Sequence, residues 1–463
     1  MSLNRRDFLG ASAAGLGYFY TADAISAVRA ADKPSEKIRI AGIGIGGKGS
    51  SDIDQAGEVG EVVALCDIDA NNLSAKLKKF PKAEQFFDYR ILLEKLEKSI
   101  DAVVVSTPDH THALPSLTAM RMKKHVYCQK PLTHSIFEAR LMRETAKKMG
   151  VATQMGNQGT AENGLRRAAE IIQAGTIGAV TEIHVWTNRP IWPQAPQVMS
   201  RPKTADVPKH VHWDEFLGGA PERPYAPGYH PFGWRGWLDF GTGALGDMAC
   251  HTANMAFMAC KLGYPTAISA DATDVNQETF SSSAKIEFDF PARDEKFLPA
   301  CKLFWYEGKR DGKKVLPSET LLKKVIADVG KLSNSGSLIV GTKGILFSPN
   351  DYGAQYTLVG PDGEKDAFTG LNLTKPESMP INGKGDQGMK IEWAAAMRGG
   401  PAAVSNFDYS GMLTEVILLG NVAIRSGKKI VWDGPKMMVT NDKAANAFVR
   451  REYRKGWDVA ANV

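Results

Sequence analysis

Cysteine is scarce in this sequence and shows no pairing pattern. The 463 residues include five cysteines, which lie far apart and form no C-x-x-C pair. An odd number of distant cysteines argues against a disulfide framework, and their spacing matches no set of metal ligands. We therefore expect neither disulfides nor a cysteine-bound metal in this protein.

The chain also lacks long apolar runs, basic blocks and internal repeats. Beyond the N-terminal region, no stretch of the sequence is long and apolar enough to span a bilayer. The net charge of +6 is spread along the sequence, which gives no electrostatic case for nucleic acid. Hydrophobic residues make up 43% and charged residues 23%, an ordinary globular composition. A chain of 463 residues exceeds one ordinary core, so we expect two domains.

The first 30 residues differ from the rest of the chain. Asn4-Arg5-Arg6-Asp7-Phe8-Leu9-Gly10 resembles the twin-arginine export signal, and Ala11 to Ala27 forms a weakly apolar run. Val28-Arg29-Ala30 then offers small residues for cleavage. The alternative is an ordinary N-terminal helix. We interpret residues 1–30 as a signal peptide for the twin-arginine export machinery, which predicts a periplasmic or otherwise exported protein.

A glycine-rich turn follows the first predicted strand, Ile38 to Ala41. The glycines of the turn are Gly44, Gly46, Gly47 and Gly49. Gly44, Gly46 and Gly49 fit G-x-G-x-x-G, in which glycine permits a tight turn, a close approach to a pyrophosphate and close helix–strand packing. A second strand, Glu61 to Cys66, ends in Asp67, where a carboxylate can bind ribose hydroxyls. Ile68 follows instead of a cation, which favours NAD over NADP.

Strands and helices continue to alternate up to residue 158. We expect helices over 92–98, 113–123 and 135–148 and strands over 100–105, 125–128 and 151–155. Polar loops follow two of the strands: Ser106, Thr107, Pro108 and His112 follow one, and Gln129 and Lys130 follow the next. Ligands of doubly wound parallel sheets bind at the carboxyl ends of strands. Residues 36–158 are thus predicted to form a Rossmann dinucleotide-binding domain.

Residues 159–463 show a different pattern of predicted strands and helices. We expect strands over 179–186, 282–290, 300–306, 337–341 and 344–348, and helices over 163–174, 389–397 and 409–426. The strands show no long helix between them, which favours an open, mostly antiparallel sheet. The glycine- and lysine-rich segments 308–313 and 360–384 are predicted to be loops. This region would form a second α/β domain.

Two features of that second region could serve a site. Five of the nine tryptophans fall between Trp186 and Trp237, and the same stretch contains Trp192, His230, Trp234 and Arg235. These residues could bind a sugar through indole faces, or the tryptophans could pack a large loop. Asp247 and His251 are four residues apart and share a helix face, as a general base and its partner would. The alternative is a structural hydrogen-bonded pair.

With these motifs, the chain resembles the glucose-fructose oxidoreductase, inositol dehydrogenase and rhizopine-catabolism family. The resemblance rests on the glycine turn, the Ser106-Thr107-Pro108 loop with His112, Lys130-Pro131 and the Asp247-x-x-x-His251 pair. The family usually has Glu-Lys-Pro where this chain has Gln129-Lys130-Pro131. The resemblance implies NAD bound by the residues of the turn and loops, and a tightly held cofactor in exported members. It also implies a homo-oligomer.

The resemblance further implies hydride transfer between NAD and a secondary hydroxyl of a carbohydrate. His251 would be the general base, Lys130 would stabilise the alkoxide, and Asp247 would orient His251 or hold a neighbouring hydroxyl. Asn157 is a weaker candidate for binding substrate. No recognised metal-ligand spacing is present. Two alternatives stay open: glycoside cleavage through transient oxidation at C3, and a non-catalytic sugar- or dinucleotide-binding protein.

Overall fold

A computed structural model describes residues 37–294, 296–370 and 379–458. The predicted signal peptide, residues 1–30, lies outside these residues. Within the described part of the chain, no helix is long and apolar enough to cross a membrane.

The N-terminal domain is built on a six-stranded parallel sheet with strand order β3-β2-β1-β4-β5-β6. The strands are β1 (Arg39–Ile43), β2 (Glu61–Cys66), β3 (Glu84–Phe86), β4 (Ala102–Val105), β5 (His125–Cys128) and β6 (Thr153–Met155). The helices are α1 (Lys48–Val59), α2 (Ala70–Leu77), α3 (Tyr89–Leu96), α4 (Ala113–Arg121) and α5 (Ile136–Met149). All four residues of β4 are buried, as an apolar run covered on both faces requires. The predicted Rossmann fold is confirmed.

The second sheet has ten strands and is mostly antiparallel, as predicted. Its strands are β7 (Val180–Trp186), β8 (Ala267–Thr273), β9 (Ser283–Phe290), β10 (Cys301–Arg310), β11 (Lys313–Lys314), β12 (Gly336–Gly341), β13 (Gly344–Ser348), β14 (Thr357–Val359), β15 (Ile430–Asp433) and β16 (Met438–Val439). β7 and β10 run parallel at its centre, and their neighbours are antiparallel.

Helices accompany this sheet throughout the second region. They are α6 (Asn163–Gln173), α7 (Trp213–Leu217), α8 (Gly243–Thr252), α9 (Asn254–Ala259), α10 (Glu319–Val329), α11 (Gly385–Met397) and α12 (Phe407–Ser426). The expectation of no long helix between the strands was wrong, since the eleven-residue α10 separates β11 from β12. The predicted loop 308–313 is instead a hairpin: β10 pairs with β11 across Asp311 and Gly312.

The last part of the chain returns to the N-terminal domain. Lys390 of α11 is fully buried against Asp52 of α1 and Tyr127 of β5. α12 lies close to α5, where Arg143 Nε donates to Asp408 Oδ1 at 2.7 Å. Helices from the end of the chain therefore pack on the Rossmann domain, and the predicted boundary at residue 158 stays a prediction.

Candidate active site

The glycine turn between β1 and α1 is shaped by close backbone contacts. Gly44 has φ +76°, and a Cβ there would stand 2.8 Å from the carbonyl carbon of Ser106. A Cβ on Gly49 would stand 2.0 Å from the carbonyl oxygen of Gly44. Side chains at these positions would clash, so the turn needs glycine. The turn places the N-terminus of α1 at the carboxyl end of the sheet, where it can receive a phosphate.

Asp67 anchors this turn. Its Oδ2 accepts hydrogen bonds from the backbone N–H groups of Ile45 at 2.8 Å and Gly46 at 3.0 Å. Oδ1 accepts from the N–H of Asp69 at 2.9 Å. Burial raises the pKa of the Asp67 carboxyl, while these hydrogen bonds oppose the rise. Asp67 thus lies where the sequence predicts a ribose-binding acid, and it also fixes the turn.

The loop after β4 contributes a buried hydroxyl and a histidine. Thr107 Oγ1 is buried and has no hydrogen-bond partner among the described residues, so this group is available to a bound dinucleotide. The ring nitrogens of His112 lie 2.7 Å from the carbonyl oxygens of Thr107 and Pro131. Burial lowers the pKa of His112 to about 4. His112 therefore lies between the cofactor loop and the Lys130-Pro131 turn as a neutral ring, which can donate to one of the two carbonyl oxygens. The glycine turn and the Thr107 hydroxyl together fit NAD.

Lys130, in the loop after β5, forms an ion pair with Asp247 of α8. Lys130 Nζ donates to Asp247 Oδ1 at 2.7 Å and to the carbonyl oxygen of Asp247 at 2.9 Å. Arg235 Nε lies 3.8 Å from the same Oδ1. Burial favours the neutral acid, but the charges of Lys130 and Arg235 prevail and hold the pKa of Asp247 below its ordinary value. The carboxylate is therefore charged and shared between two cations.

His251 lies one turn further along α8 and is 4% exposed. Its Nδ1 is buried without a hydrogen-bond partner among the described residues. Burial and, after it, the charge of Lys130 hold the pKa of His251 well below its ordinary value. The Tyr352 ring stands edge-on to the imidazole with centroids 5.0 Å apart. His251 is thus a neutral base, but Asp247 bonds Lys130 rather than holding the imidazole as one predicted role required.

Asp109 is a site residue that the sequence prediction missed. Thr242 Oγ1, at the start of α8, donates to Asp109 Oδ2 at 2.7 Å. Burial raises the pKa of Asp109 to about 7, and the nearby negative charge of Asp247 adds to that effect. This bond fixes α8, the helix that carries Asp247 and His251, to the loop after β4. The signal was visible only as an acid between Pro108 and His110 at a strand end.

Gln129 is explained by a buried carboxylate that was also missed. Gln129 Nε2 donates to Asp52 Oδ2 at 2.9 Å, and Gln129 Oε1 accepts from the Lys130 N–H at 3.1 Å. Asp52 also accepts from Lys48 and Lys390, each at 2.7 Å. A glutamate in place of Gln129 would set a second carboxylate against Asp52, whereas the amide donates to it. The departure from Glu-Lys-Pro therefore matches its surroundings.

Several residues that the sequence predicts to bind substrate make contacts with other parts of the protein. Asn157 is fully buried, and its Nδ2 donates to the carbonyl oxygen of Cys250 at 3.3 Å, so it braces α8. His230 Nε2 lies 3.0 Å from Asp69 Oδ2, beside the β2–α2 turn. Only Arg235 of the predicted loop residues reaches Asp247. That Asn157 and His230 contact substrate stays a prediction.

The tryptophan-rich loop is mainly packed. Trp192 is 5% exposed and Trp234 is 6% exposed. The loop has its own apolar cluster, made of Phe216, Leu217, Ala220, Ala226, Tyr229, Trp234, Trp237 and Phe240. Of the two interpretations of these tryptophans, the structure favours packing, because their faces are covered by protein.

Histidines that could have joined a metal site are dispersed. His184 bonds Tyr306 and Glu182 on the C-terminal sheet, whereas His230 bonds Asp69. Among the described residues, no three side chains of His, Cys, Asp or Glu are grouped as metal ligands would be.

Comparison with known proteins places this arrangement in a family. The family profile for the NAD-binding Rossmann fold of GFO_IDH_MocA oxidoreductases matches residues 37–157. The profile for the family's C-terminal alpha/beta domain matches residues 166–297. The two profiles together cover more than half of the chain.

Curated relatives match over about a quarter of this chain. An inositol 2-dehydrogenase of Salmonella paratyphi B is 31% identical over 126 residues, 27% of this chain and 37% of the relative. A 2,7-anhydro-N-acetylneuraminate hydratase of Escherichia coli K12 is 33% identical over 96 residues, 20% of this chain and 26% of the relative. The chain thus spans roughly a quarter to two fifths of these relatives' length.

A solved structure extends the likeness of fold over both domains. The WlbA dehydrogenase of Bordetella pertussis, in complex with NADH and UDP-GlcNAcA, has a TM-score of 0.59 and 15% identity. The alignment covers 86% of this chain and 99% of that one. The protein belongs to the glucose-fructose oxidoreductase, inositol dehydrogenase and rhizopine-catabolism family of oxidoreductases, with an NAD-binding Rossmann domain and the family's C-terminal α/β domain.

Proposed function

We propose that this protein transfers a hydride between a secondary hydroxyl of a sugar, glycoside or polyol and a tightly held NAD. The observation that carries the proposal is the Lys130–Asp247 ion pair beside the neutral His251. The inositol dehydrogenase among the relatives and the nucleotide-sugar complex of the WlbA dehydrogenase support a carbohydrate substrate. Ile68 after Asp67 supports NAD over NADP, because it offers no cation to a 2′-phosphate.

The catalytic trio consists of Lys130, Asp247 and His251, and each of the three has a distinct part in the chemistry. NAD supplies the hydride acceptor when it is bound. His251 takes the hydroxyl proton on a ring nitrogen, for which its neutral state prepares it. Lys130 donates a hydrogen bond to the substrate oxygen and stabilises the negative charge that develops there. Asp247 holds the Lys130 ammonium at 2.7 Å and so fixes the direction of that donor.

The test begins with the purified protein and its cofactor. Denaturation should release NAD(H), and incubation with a panel of glycosides and polyols should yield products two hydrogens lighter by mass. His251→Asn should lower turnover by roughly 10²–10⁴. His184→Asn is the control and should not alter turnover, because His184 is a buried histidine that bonds Tyr306 within the C-terminal sheet. Absence of NAD(H) together with failure to bind it would overturn the proposal.

A second candidate is glycoside cleavage through transient oxidation at C3. The sugar is oxidised, the aglycone is eliminated, water adds and the sugar is reduced, so NAD is regenerated. Asp109 is the candidate acid for this cycle: its carboxyl bonds Thr242 at the start of α8, and burial raises its pKa to about 7, so it could protonate a departing oxygen near neutrality. Release of nitrophenol from a nitrophenyl glycoside without net NADH would support it; a keto-glycoside product would favour the dehydrogenase.

We also propose that the protein is exported through the twin-arginine route, on the strength of Arg5-Arg6 and the apolar run that follows. Residues 1–35 fused to a fluorescent protein should deliver it to the periplasm. Replacing both arginines by lysine should retain the fusion in the cytoplasm. Equal distribution of the two fusions would contradict export by this route.

A further inference from the structure

Two large apolar side chains are exposed on the loops that lead to the catalytic helix. Ile191 is 61% exposed and Phe232 is 47% exposed. Other aromatic residues of the same loops, such as Trp192 and Trp237, are almost fully buried. Single exposed apolar side chains are ordinary on a protein surface, so a role for these two depends on what they adjoin. We call Ile191 and Phe232 the entrance patch.

The entrance patch is held in a defined shape. Trp192, next to Ile191, meets the Phe232 ring edge-on with centroids 6.4 Å apart. Trp192 Nε1 donates to Gln194 Oε1 at 2.7 Å, and Gln194 Nε2 donates to the carbonyl oxygen of Ser281 at 2.6 Å. The buried side of the patch is thus tied to the C-terminal domain by hydrogen bonds. A patch fixed in this way loses little conformational freedom when a ligand binds.

Arg235 connects the entrance patch to the catalytic trio. Its guanidinium lies over the Phe232 ring at 4.6 Å and over the Trp234 ring at 4.2 Å. Its Nε lies 3.8 Å from the Asp247 oxygen that accepts from Lys130. The patch is therefore continuous with the site, one arginine away from Asp247. A substrate whose hydroxyl reaches Lys130 can extend over Arg235 to Phe232.

We propose that the entrance patch is a subsite for an apolar, aromatic aglycone carried by the reacting sugar. This rests on the proposed oxidoreductase function and specifies its substrate class. An aryl ring can stack on the exposed Phe232 face and contact Ile191, while the sugar occupies the polar trio. Two side chains are far too small for a stable contact between copies, which needs on the order of 1,000 Å². A group the size of one ring matches the patch.

The test compares methyl and 4-nitrophenyl glycosides of the same hexoses, binding to the NAD-loaded protein by calorimetry. Wild type should bind the aryl member about 10-fold more tightly, because the aryl ring removes apolar surface from water when it covers the patch. Phe232→Ser and Ile191→Ser should each lower that ratio several-fold and leave methyl glycoside affinity unchanged. Ile91→Ser is the matched control, because Ile91 is 56% exposed on α3 of the other domain.

The outcomes separate this inference from the proposed function. Equal affinity for both glycosides, no binding of any aryl glycoside, or an aryl preference kept in Phe232→Ser would overturn the subsite. A change of oligomeric mass in Phe232→Ser would also overturn it and assign the patch to an interface. An aryl preference without reduction of NAD would retain the subsite and refute the oxidoreductase.

Discussion

At the residue scale, the Lys130–Asp247 pair should affect both stability and catalysis, and the two effects can be measured separately. Both side chains are mostly buried, with 17% and 12% exposure. Lys130→Met should lower turnover by roughly 10²–10⁴, because the alkoxide loses its cation. It should also reduce the free energy of unfolding by about 3 kcal/mol, since Asp247 remains charged in a buried place. Activity assays and chemical denaturation measure the two effects.

A double variant distinguishes the two losses. Lys130→Met with Asp247→Asn removes both charges, so stability should return toward wild type while turnover stays low. Lys95→Met is the control, because Lys95 pairs with Glu84 on the surface with 60% exposure. If the double variant were as unstable as the single one, the unpaired charge of Asp247 would not be the cause of the lost stability.

Asp109 gives a pH dependence whose sign follows from its raised pKa. The folded carboxyl titrates at about 7, above its ordinary 3.8, so between these values the folded state binds more protons than the unfolded one. Its contribution to stability is complete below pH 3.8 and is lost as pH rises through about 7. Relative to wild type, Asp109→Asn should therefore gain up to about 4 kcal/mol between pH 4 and 8.

Denaturation of wild type and Asp109→Asn at several pH values measures this gain. Comparing the two proteins at each pH cancels the contribution of the buried histidines to stability. Their lowered pKa values make stability rise with pH, which is opposite to the effect of Asp109. Glu307→Gln is a positive control, since burial also raises the pKa of Glu307 to about 7 and its side chain bonds Trp305. A difference between wild type and Asp109→Asn that stays constant with pH would contradict the assignment.

The same residues show how far a sequence predicts a site. Lys130 and His251 could be found because a strand end and a helical spacing give their positions without knowledge of packing. Asp109 and Tyr352 could not, because their importance arises from contacts with Thr242 and His251, more than 100 residues away in the chain in each case. Partners such as Asp69 for His230 likewise depend on tertiary packing.

At the element scale, a segment of the tryptophan-rich loop is strapped to the Rossmann domain. Val211 forms a β-bridge with Asp69, and the His212 ring stacks on Phe87 with centroids 3.9 Å apart. His230 Nε2 adds its contact of 3.0 Å with Asp69 Oδ2. Asp69, which takes part in two of these contacts, lies two residues beyond Asp67. Release of a dinucleotide held at Asp67 should therefore require this strap to loosen.

His230→Ala should accelerate the release of NAD by several-fold, because an anchor of the strap is lost. The control is His210→Ala, since His210 lies 3.8 Å from Asp69 and is 43% exposed, a weaker contact. Dissociation is followed by dilution into a competing nucleotide with separation of free from bound NAD. Equal release from His230→Ala and wild type would show that the strap does not control the cofactor.

Elements were predictable where local patterns decide them. β2, β5 and β13 have the predicted bounds, because apolar runs bounded by turns define buried strands. The hairpin after β10 was missed, although Asp311 and Gly312 have φ +49° and +75° as a two-residue Asp-Gly turn requires. The residues on either side of this turn are lysines and an arginine. The two short strand segments are therefore exposed and show no alternation of apolar residues from which a strand could be predicted.

At the scale of the whole molecule, Lys390 ties the end of the chain to its beginning. Lys390 Nζ lies 2.7 Å from Asp52 Oδ1 and 2.9 Å from both Asp386 Oδ1 and the Tyr127 hydroxyl. Lys390 and Asp52 are fully buried. Asp52 in turn bonds Ser106 Oγ at 2.9 Å, so this network lies directly behind the cofactor loop. The Rossmann domain is therefore complete only when the C-terminal helices are in place.

Lys390→Met should destabilise the protein by about 3–5 kcal/mol, because a buried carboxylate loses one of its cations. It should also weaken NAD binding, since Asp52 holds both the Ser106 loop and Gln129. Lys428→Met removes an exposed pair with Asp442, where Lys428 is 68% exposed, and should cost less than about 1 kcal/mol. Calorimetric unfolding with and without NAD measures both effects. If Lys390→Met resembled Lys428→Met, the buried Lys390–Asp52 pair would have no part in joining the C-terminal helices to the Rossmann domain or in forming the cofactor site.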